Sequence, residues 1–533
     1  MISETHRYLN SRRLALLRTP LYFFAALLLM VLFAPQASFG QAKKPNILVI
    51  FGDDIGQSNI SRYTHGLMGM MTPNIDSIGE HGMTFTDYYA ENSCTAGRAT
   101  FITGQVAVRT GMTKVGVPGA PVGIQKRDIT IAEAIKPLGY ATGQFGKNHL
   151  GDRDEYLPTN HGFDEFFGNL YHLNAEQEPE MPYWPKDDPI FLKVYNPRGV
   201  IHSFADGKIE DTGPLNIKRM ETIDDETSNA AMDFMDKQVK ANKPFFVWMN
   251  FTRMHVFTHV RPEFKGKSGM PGNEYMDGMW EHDQDVGKLL KKLDDLGIAN
   301  DTIVIYTTDN GPNMFTWPDA SMTPFRNEKN SNWEGAYRVP AMIRWPGHIK
   351  ENVWSNEIVS GLDWFPTLLA AAGNPNIKDQ LLKGTGPGGM AHKVHLDGYN
   401  ILPYLTGQEA HSPRRNFYYF NDDGLLVAMR HDNWKFVFCE QRAIGGYAVW
   451  SNPFTCTRIP LIENLRMDPY EKAPLISDQY DDWQVHNVYL AIQGQISAQE
   501  FVESFKAYPP SQAPASFTID PEMFVNMAPK PKE

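Results

Sequence analysis

Asn46-Ile47-Leu48-Val49-Ile50-Phe51-Gly52-Asp53-Asp54 reads as a strand that runs straight into an acidic turn. The run is almost continuously apolar and rich in β-branched residues, so both faces of the strand are expected to be covered, as in a parallel sheet. The two acids lie past its carboxyl end, where open α/β sheets place their ligands. Ile303-Val304-Ile305-Tyr306-Thr307 repeats the pattern and leads into Asp309-Asn310-Gly311. Phe245-Phe246-Val247-Trp248-Met249 is a third apolar run and ends at Asn250. Met279, Val286, Leu289, Leu290, Leu293 and Leu296 keep helical spacing over Met276–Leu296, with Gly297 as the stop. Alternation of strand and helix over this length predicts an α/β chain built on a doubly wound sheet.

The remainder is less regular. Tyr171–Gly213 is rich in Pro, Asp and aromatic residues without a clear period. It is expected to form a long surface excursion, of the kind that shapes the mouth of a site. After about residue 410 short aromatic runs appear, Asn416–Phe420 and Trp434–Phe438, and suggest a small antiparallel sheet. The expected division is a large α/β domain over 41–410 and a C-terminal subdomain with a Pro-rich tail over 411–533. A chain of 533 residues is long enough for both.

The net charge of −12 argues against nucleic acid as a partner, and an anionic substrate would have to be held by local positive charge. Arg7, Arg12, Arg13 and Arg18 precede the apolar run Leu21–Phe33, and small residues follow up to Gly40. Residues 1–40 therefore read as a signal peptide of an exported protein, periplasmic or secreted. The apolar run is shorter than the roughly 20 residues of a membrane span, so no stable membrane insertion is expected. Ser11-Arg12-Arg13 leaves both the Sec and the twin-arginine route open. Asn59, Asn250 and Asn300 sit in N-glycosylation triplets, so the host compartment stays open as well. Cys439 and Cys456 suit either a disulfide or two buried thiols, and both readings stand at this point. Cys94 is the odd one out, to be considered for chemistry.

Asp53, Asp54, Asp309 and Asn310 offer only oxygen, which selects a hard cation, Ca2+ or Mg2+, over zinc. One acidic strand end alone would ordinarily be a cap or a turn; two such ends make a metal site the better reading. Cys94-Thr95-Ala96-Gly97-Arg98 opens a helix expected from Ser93 onward. Cys94 at its first turn would meet free N–H groups that favour negative charge, with Arg98 one turn along the same face. In Gly146-Lys147-Asn148-His149-Leu150-Gly151, Lys147 and His149 would share one side if the chain is extended. A lysine can clamp an anionic oxygen and a histidine can move protons near neutral pH. His255 and Lys329 are unremarkable taken singly.

Taken in order, these segments carry a resemblance. Lys44–Asp54, Thr72-Pro73-Asn74-Ile75-Asp76, Cys94–Arg98, Gly146–Gly151, Thr308–Gly311, Trp333-Glu334-Gly335 with Arg338-Val339-Pro340, and Phe365-Pro366-Thr367-Leu368-Leu369 follow one another as in the type I sulfatases. The chain resembles that family, of the arylsulfatase kind, within the alkaline phosphatase superfamily. The likeness is close over about 44–410 and looser beyond, through Asn464–Pro469. It implies a large mixed, mostly parallel sheet sandwiched by helices, with a smaller C-terminal antiparallel sheet. It implies hydrolysis of a sulfate monoester, with formylglycine made from Cys94 by a formylglycine-generating enzyme. Asp53, Asp54, Asp309 and Asn310 would hold Ca2+ (Mg2+ as an alternative), with residue 94 completing the set. Arg98 would steady the modified residue, and Lys147 would contact it and a sulfate oxygen. His149 would assist sulfate release, His255 would protonate the leaving oxygen, and Lys329 would hold the sulfate; His172 falls where the family often has a further sulfate contact. The substrate would be a sulfated small molecule or glycan. Ala96 stands where proline is commoner and Asn148 where tryptophan often occurs. Two rivals are a phosphate or phosphonate monoester hydrolase on the same fold and a sulfated-glycan binder that has lost catalysis.

Overall fold

The computed structural model describes residues 44–515, apart from 271 and 315. The signal peptide expected over 1–40 and the end of the Pro-rich tail lie outside the described residues. The strands, in chain order, are β1 (Asn46–Gly52), β2 (Met83–Phe85), β3 (Tyr88–Tyr89), β4 (Ala141–Gly146), β5 (Glu165–Gly168), β6 (Ile201–Phe204), β7 (Ile209–Asp211) and β8 (Phe245–Asn250). Then come β9 (Thr302–Thr308), β10 (Ala341–Arg344), β11 (Val353–Ser355), β12 (Val359–Ser360), β13 (Asn416–Phe420), β14 (Leu426–His431), β15 (Trp434–Glu440) and β16 (Thr455–Asn464). Among the described residues, ten strands form one sheet in the order β11-β2-β10-β9-β1-β8-β4-β5-β6-β7. The run β9-β1-β8-β4-β5 is parallel throughout. Antiparallel strands flank it, β10 on one side and β6 and β7 on the other. The α/β class, with a mixed and mostly parallel sheet, is as the sequence implies.

The period of two along β1 divides its side chains between two cores. Ile47, Val49 and Phe51 pack into one, which includes Ala99, Phe101 and Ile102 of the helix Cys94–Thr103 and Leu368 and Leu369 of the helix Trp364–Ala371. Leu48 and Ile50 pack into the other, with Ile75 and Ile78 of the helix Pro73–Glu80 and Val286, Leu289 and Leu293 of the helix Glu274–Asp295. Each fully buried aliphatic or aromatic side chain contributes about 1.5–3 kcal/mol. β1 therefore lies at the centre of both layers, and its end is fixed from both sides. The long helix ends at Gly297, whose φ of +66° is the left-handed turn that favours glycine.

The later segment forms the small sheet β13-β14-β15-β16, antiparallel throughout. Cys439 of β15 lies opposite Cys456 of β16 and the two form a disulfide, which settles the alternative left open by spacing. Glu334 ties this sheet to the main body: it accepts hydrogen bonds from Tyr89 and Tyr419 at 2.6 and 2.7 Å and faces Lys435 at 3.2 Å. The Trp333-Glu334-Gly335 segment thus has a structural task in this chain. Tyr171–Gly213 is more ordered than expected: it carries the helices Leu173–Gln177 and Pro189–Tyr195 and the strands β6 and β7, the latter at the edge of the sheet. Of the glycosylation triplets, Asn59 and Asn250 are buried and only Asn300 is exposed.

Glu91, buried between β3 and the helix Cys94–Thr103, accepts a hydrogen bond from Thr100 Oγ1 at 3.1 Å. Burial pushes its carboxyl up to about 8 against the pull of that bond, and Asp397 adds to the rise. An acid whose folded pKa lies above its ordinary 4.5 binds its proton more tightly when folded, so stability is lost as pH climbs through that window. Denaturant titrations from pH 5 to 8.5 are expected to show a shallower decline for Glu91→Gln than for the wild type. Parallel profiles would remove Glu91 from the account.

Candidate active site

The site lies at the carboxyl ends of β1 and β9, beside the first turn of the helix Cys94–Thr103. Asp53 and Asp54 follow β1, and Asp309 and Asn310 follow β9. The turn after β1 is pinned to the chain after β8: Asp53 N–H donates to the Arg253 carbonyl at 2.9 Å, and Met254 N–H to the Asp53 carbonyl at 2.8 Å. Asp54 adopts φ +57°, a left-handed conformation that aspartate tolerates better than most residues. Gly97 lets the helix lie directly against β9's end, since a Cβ there would fall 1.9 Å from the Asp309 carbonyl oxygen.

Three carboxylates and three cations meet here, all buried. Lys147 Nζ lies 2.5 Å from Asp53 Oδ2. Arg98 Nε donates to Asp309 Oδ2 at 2.9 Å, and its NH1 donates to the Lys147 carbonyl at 3.1 Å. Lys329 Nζ bridges Asp54, at 2.6 and 2.9 Å to its two oxygens, and Cys94 Sγ at 2.9 Å. Asn310 Nδ2 donates to Asp54 Oδ1 at 2.7 Å. Burial alone would raise the carboxyls of Asp53 and Asp54, yet Lys147 beside the first and Lys329 beside the second hold both below the usual range. The Cys94 thiol behaves otherwise: burial pushes it far up, Lys147 and Lys329 oppose the rise, and Asp53 and Asp54 add to it. The negatively charged sulfur expected from the helix terminus is therefore disfavoured, chiefly because the atom is fully buried, with the two carboxylates adding to that.

Asp53, Cys94 and Asp309 present ligand atoms within 4.8 Å of one another. Asp53 Oδ1 and Asn310 Oδ1 are buried acceptors with no hydrogen-bond partner among the described residues. Orphaned acceptor oxygens among Asp53, Asp54, Asp309 and Asn310, with the Cys94 sulfur the one soft atom beside them, fit a hard divalent cation.

Three histidines stand beside this cluster, and the partner of one nitrogen defines each ring's tautomer. His255 Nδ1 donates to the Val256 carbonyl at 2.8 Å, and its Nε2 lies 3.8 Å from Asp54 Oδ2. His149 Nε2 donates to the Gly116 carbonyl at 3.0 Å, which leaves Nδ1 a buried acceptor without a partner. His172 Nδ1 accepts from Ala175 N–H at 3.1 Å, so its Nε2 carries the proton. Its ring stacks on His255 and meets His149 edge-on, with centroids 5.4 Å apart in each pair. Burial is the leading cause that pushes all three below the ordinary histidine value, His255 to about 4, where Asp54 resists the fall. His149 has φ +60°, so the chain turns after Lys147 and the extended condition for a shared side is not met.

All eleven residues singled out in the sequence thus converge, while some residues of the mouth had no sequence signal. Asn313, Tyr447 and Trp450 line the cavity above Lys329 together with His172 and His255. Asn313 and Tyr447 come from loops and Trp450 from the four-residue helix Ala448–Ser451, none of which has a readable period, and the three meet only through the tertiary fold.

Residues 45–374 match the Sulfatase family model. Arylsulfatase A of Bos taurus is 32% identical over 470 residues, covering 84% of this chain and 86% of that protein. N-acetylgalactosamine-6-sulfatase of Canis lupus familiaris is 29% identical over 477 residues, covering 84% and 85%. The crystal structure of the PsFucS1 sulfatase from Pseudoalteromonas sp. superposes with a TM-score of 0.76 at 27% identity, covering 89% of this chain and 92% of that one. The fold and these matches define a sulfuric ester hydrolase of the alkaline phosphatase superfamily. The chain belongs to the sulfatase family, as a type I sulfatase, and its reaction is hydrolysis of a sulfate monoester.

Gly97→Ala tests how closely the helix must approach β9. The added methyl would push Cys94 and Arg98 away from Asp309. A loss of roughly 100-fold or more in kcat/KM is expected, of the size a 1 Å misplacement produces, with far-ultraviolet circular dichroism unchanged. Full activity would show that the contact is dispensable.

Proposed function

We propose that residue 94 acts in its formylglycine form, made from Cys94 by a formylglycine-generating enzyme, and that the bound cation is Ca2+, with Mg2+ the alternative. The observation that carries this reading is the position of Cys94 Sγ, 2.9 Å from Lys329 Nζ and 3.8 Å from Asp54 Oδ1, at the first turn of its helix. Asp53, Asp54, Asp309 and Asn310 would hold the cation together with residue 94. When present, the hydrated aldehyde supplies an oxygen nucleophile and the cation offsets negative charge beside it.

The other side chains have separate tasks. Lys147 and Lys329 bind sulfate oxygens, and Arg98, locked on Asp309, steadies residue 94. His255 presents Nε2 toward the site and delivers a proton to the leaving oxygen; the negative charge of a bound sulfate ester opposes the burial that disfavours its protonated form. His149 keeps Nδ1 free to accept a proton during sulfate release. His172, with its proton on Nε2, donates to a sulfate oxygen. The substrate is a sulfated glycan or small molecule. The chain works outside the cytoplasm, in the periplasm or secreted, in keeping with the leader-like residues 1–40 and the Cys439–Cys456 disulfide.

Mass spectrometry of the tryptic peptide containing Cys94, from protein coexpressed with a formylglycine-generating enzyme, is expected to find it lighter by roughly 18 Da. That protein should release sulfate from an aryl sulfate faster than phosphate from the matching aryl phosphate. Cys94→Ala should lose roughly 10⁴-fold or more in kcat. A persistent thiol in protein from the native host, or preference for the phosphate ester, would overturn the reading.

The cation has its own test. Protein stripped with a chelator should gain thermal stability when Ca2+ is returned, by about 2.7 kcal/mol at a hundredfold excess over Kd. Asp53→Asn should blunt that gain. No Ca2+ dependence of Tm in the wild type would refute the site.

A further inference from the structure

Two cavities adjoin at the site along His255, Phe257 and Asn313. The first, of about 200 Å³, opens above Lys329 and is walled by Tyr447, Trp450, Phe257 and Val117. Lys329 is the one full charge on its wall among the described residues, and it is paired with Asp54. The second, of about 170 Å³, is lined by Tyr275, Glu274 and Asp319. No lysine or arginine lines it among the described residues, so its side-chain charges are acidic.

The walls are built as a platform with a polar anchor. Tyr447 is 76% exposed and Phe257 45% exposed, both facing a site whose floor is dry. Phe257 also adopts φ +69°, a conformation that bulky residues rarely hold and that tends to mark functional positions. Asn313 is 5% exposed, and its Oδ1 is buried with no hydrogen-bond partner among the described residues. An aromatic wall accepts any flat apolar face, but a buried acceptor without a donor is costly until a hydroxyl or N–H reaches it. A phenol would use the wall and leave Asn313 unpaired. A pyranose offers both an apolar C–H face and rim hydroxyls. With Lys265 4.0 Å from Glu274 but not on the wall, the second cavity offers, among the described residues, no cation to hold a further sulfate beyond that ring.

We infer that the leaving group is a pyranose of a saccharide of low charge density, stacked on Tyr447 and Trp450 and hydrogen-bonded through a hydroxyl to Asn313. The next ring, in the cavity of Glu274 and Asp319, carries no sulfate. This inference rests on the sulfatase reading and names its substrate class. It selects a singly sulfated sugar in an otherwise neutral chain over both simple aryl sulfates and polysulfated chains. Tyr447, Trp450, Asn313 and Phe257 become its specificity residues.

The test compares kcat/KM for 4-nitrophenyl sulfate, a panel of monosulfated neutral disaccharides and their disulfated counterparts. At least one monosulfated disaccharide is expected to be the best substrate, with its disulfated counterpart at least tenfold poorer. Asn313→Ala and Trp450→Ala should each lower the ratio of saccharide to aryl sulfate turnover by about tenfold. Unchanged ratios, or preference for the disulfated sugars, would overturn the inference. Calorimetric binding of the same disaccharides to Cys94→Ser separates it from the hydrolytic reading. If nothing is hydrolysed but binding is weakened about tenfold by adding Trp450→Ala, the saccharide subsite stands and the roles proposed for residue 94 and its neighbours fall. No binding and no turnover would remove the subsite.

Discussion

Three carboxylates cannot share a dry pocket unless cations share it with them, and the structure around β1 follows from that constraint. Unpaired, Asp53, Asp54 and Asp309 would each cost several kcal/mol to bury. Arg98, Lys147 and Lys329 reach them from the helix after β3, the turn after β4 and the long loop after β9. The compensation is therefore distant in sequence and needs the whole sheet in place. Central placement of β1, between β8 and β9, brings the three sources within reach of one point. An acidic chain can hold an anion here because the local balance of charge, not the net charge of −12, decides what the pocket accepts.

The same cluster explains why the cysteine is ill suited to act as a thiolate. A helix N-terminus ordinarily favours negative charge on sulfur. Here burial and two neighbouring carboxylates outweigh the dipole and both lysines. Chemistry at residue 94 is better served by a nucleophile that does not depend on a thiolate. The lysines remain free in function to exchange their carboxylate partners for other anions, since an ammonium has three donors and no fixed fork. Arg98, locked side-on against Asp309, has no such freedom.

Much of this was legible in the sequence, for a definite reason. β1, β8 and β9 are buried on both faces, so their apolar runs stand out, and the acids that follow β1 and β9 mark where the apolar run gives way to chemistry. The helix expected from Ser93 onward forms over Cys94–Thr103. What stayed hidden lacked a local signature. β7 is exposed along its whole length and shows no apolar period, so the segment that holds it reads as irregular. The turn at His149 depends on a left-handed φ that no glycine announces at that position. The pairing of Cys439 with Cys456 follows from the register of β15 against β16, which spacing alone does not determine.

The site also divides by rigidity. Its charged floor is held by strand ends and by ion pairs with almost no access to water, so a change there disturbs the fold and the chemistry together. Its mouth is assembled from the loop carrying Phe257, the loop carrying Asn313 and the short helix Ala448–Ser451 with Tyr447 before it. These segments contribute little to either core, and Tyr447 is largely exposed, so their side chains can vary at small cost in stability. The small C-terminal sheet acquires a purpose in this light. Its anchor at Glu334 and Lys435 is buried and ionic, hence costly to break, and it carries the strands from which the Tyr447–Trp450 wall projects. A leaving group would then be judged by a surface that is firmly positioned yet chemically free to change, while the sulfate meets the buried, mutually paired charges below.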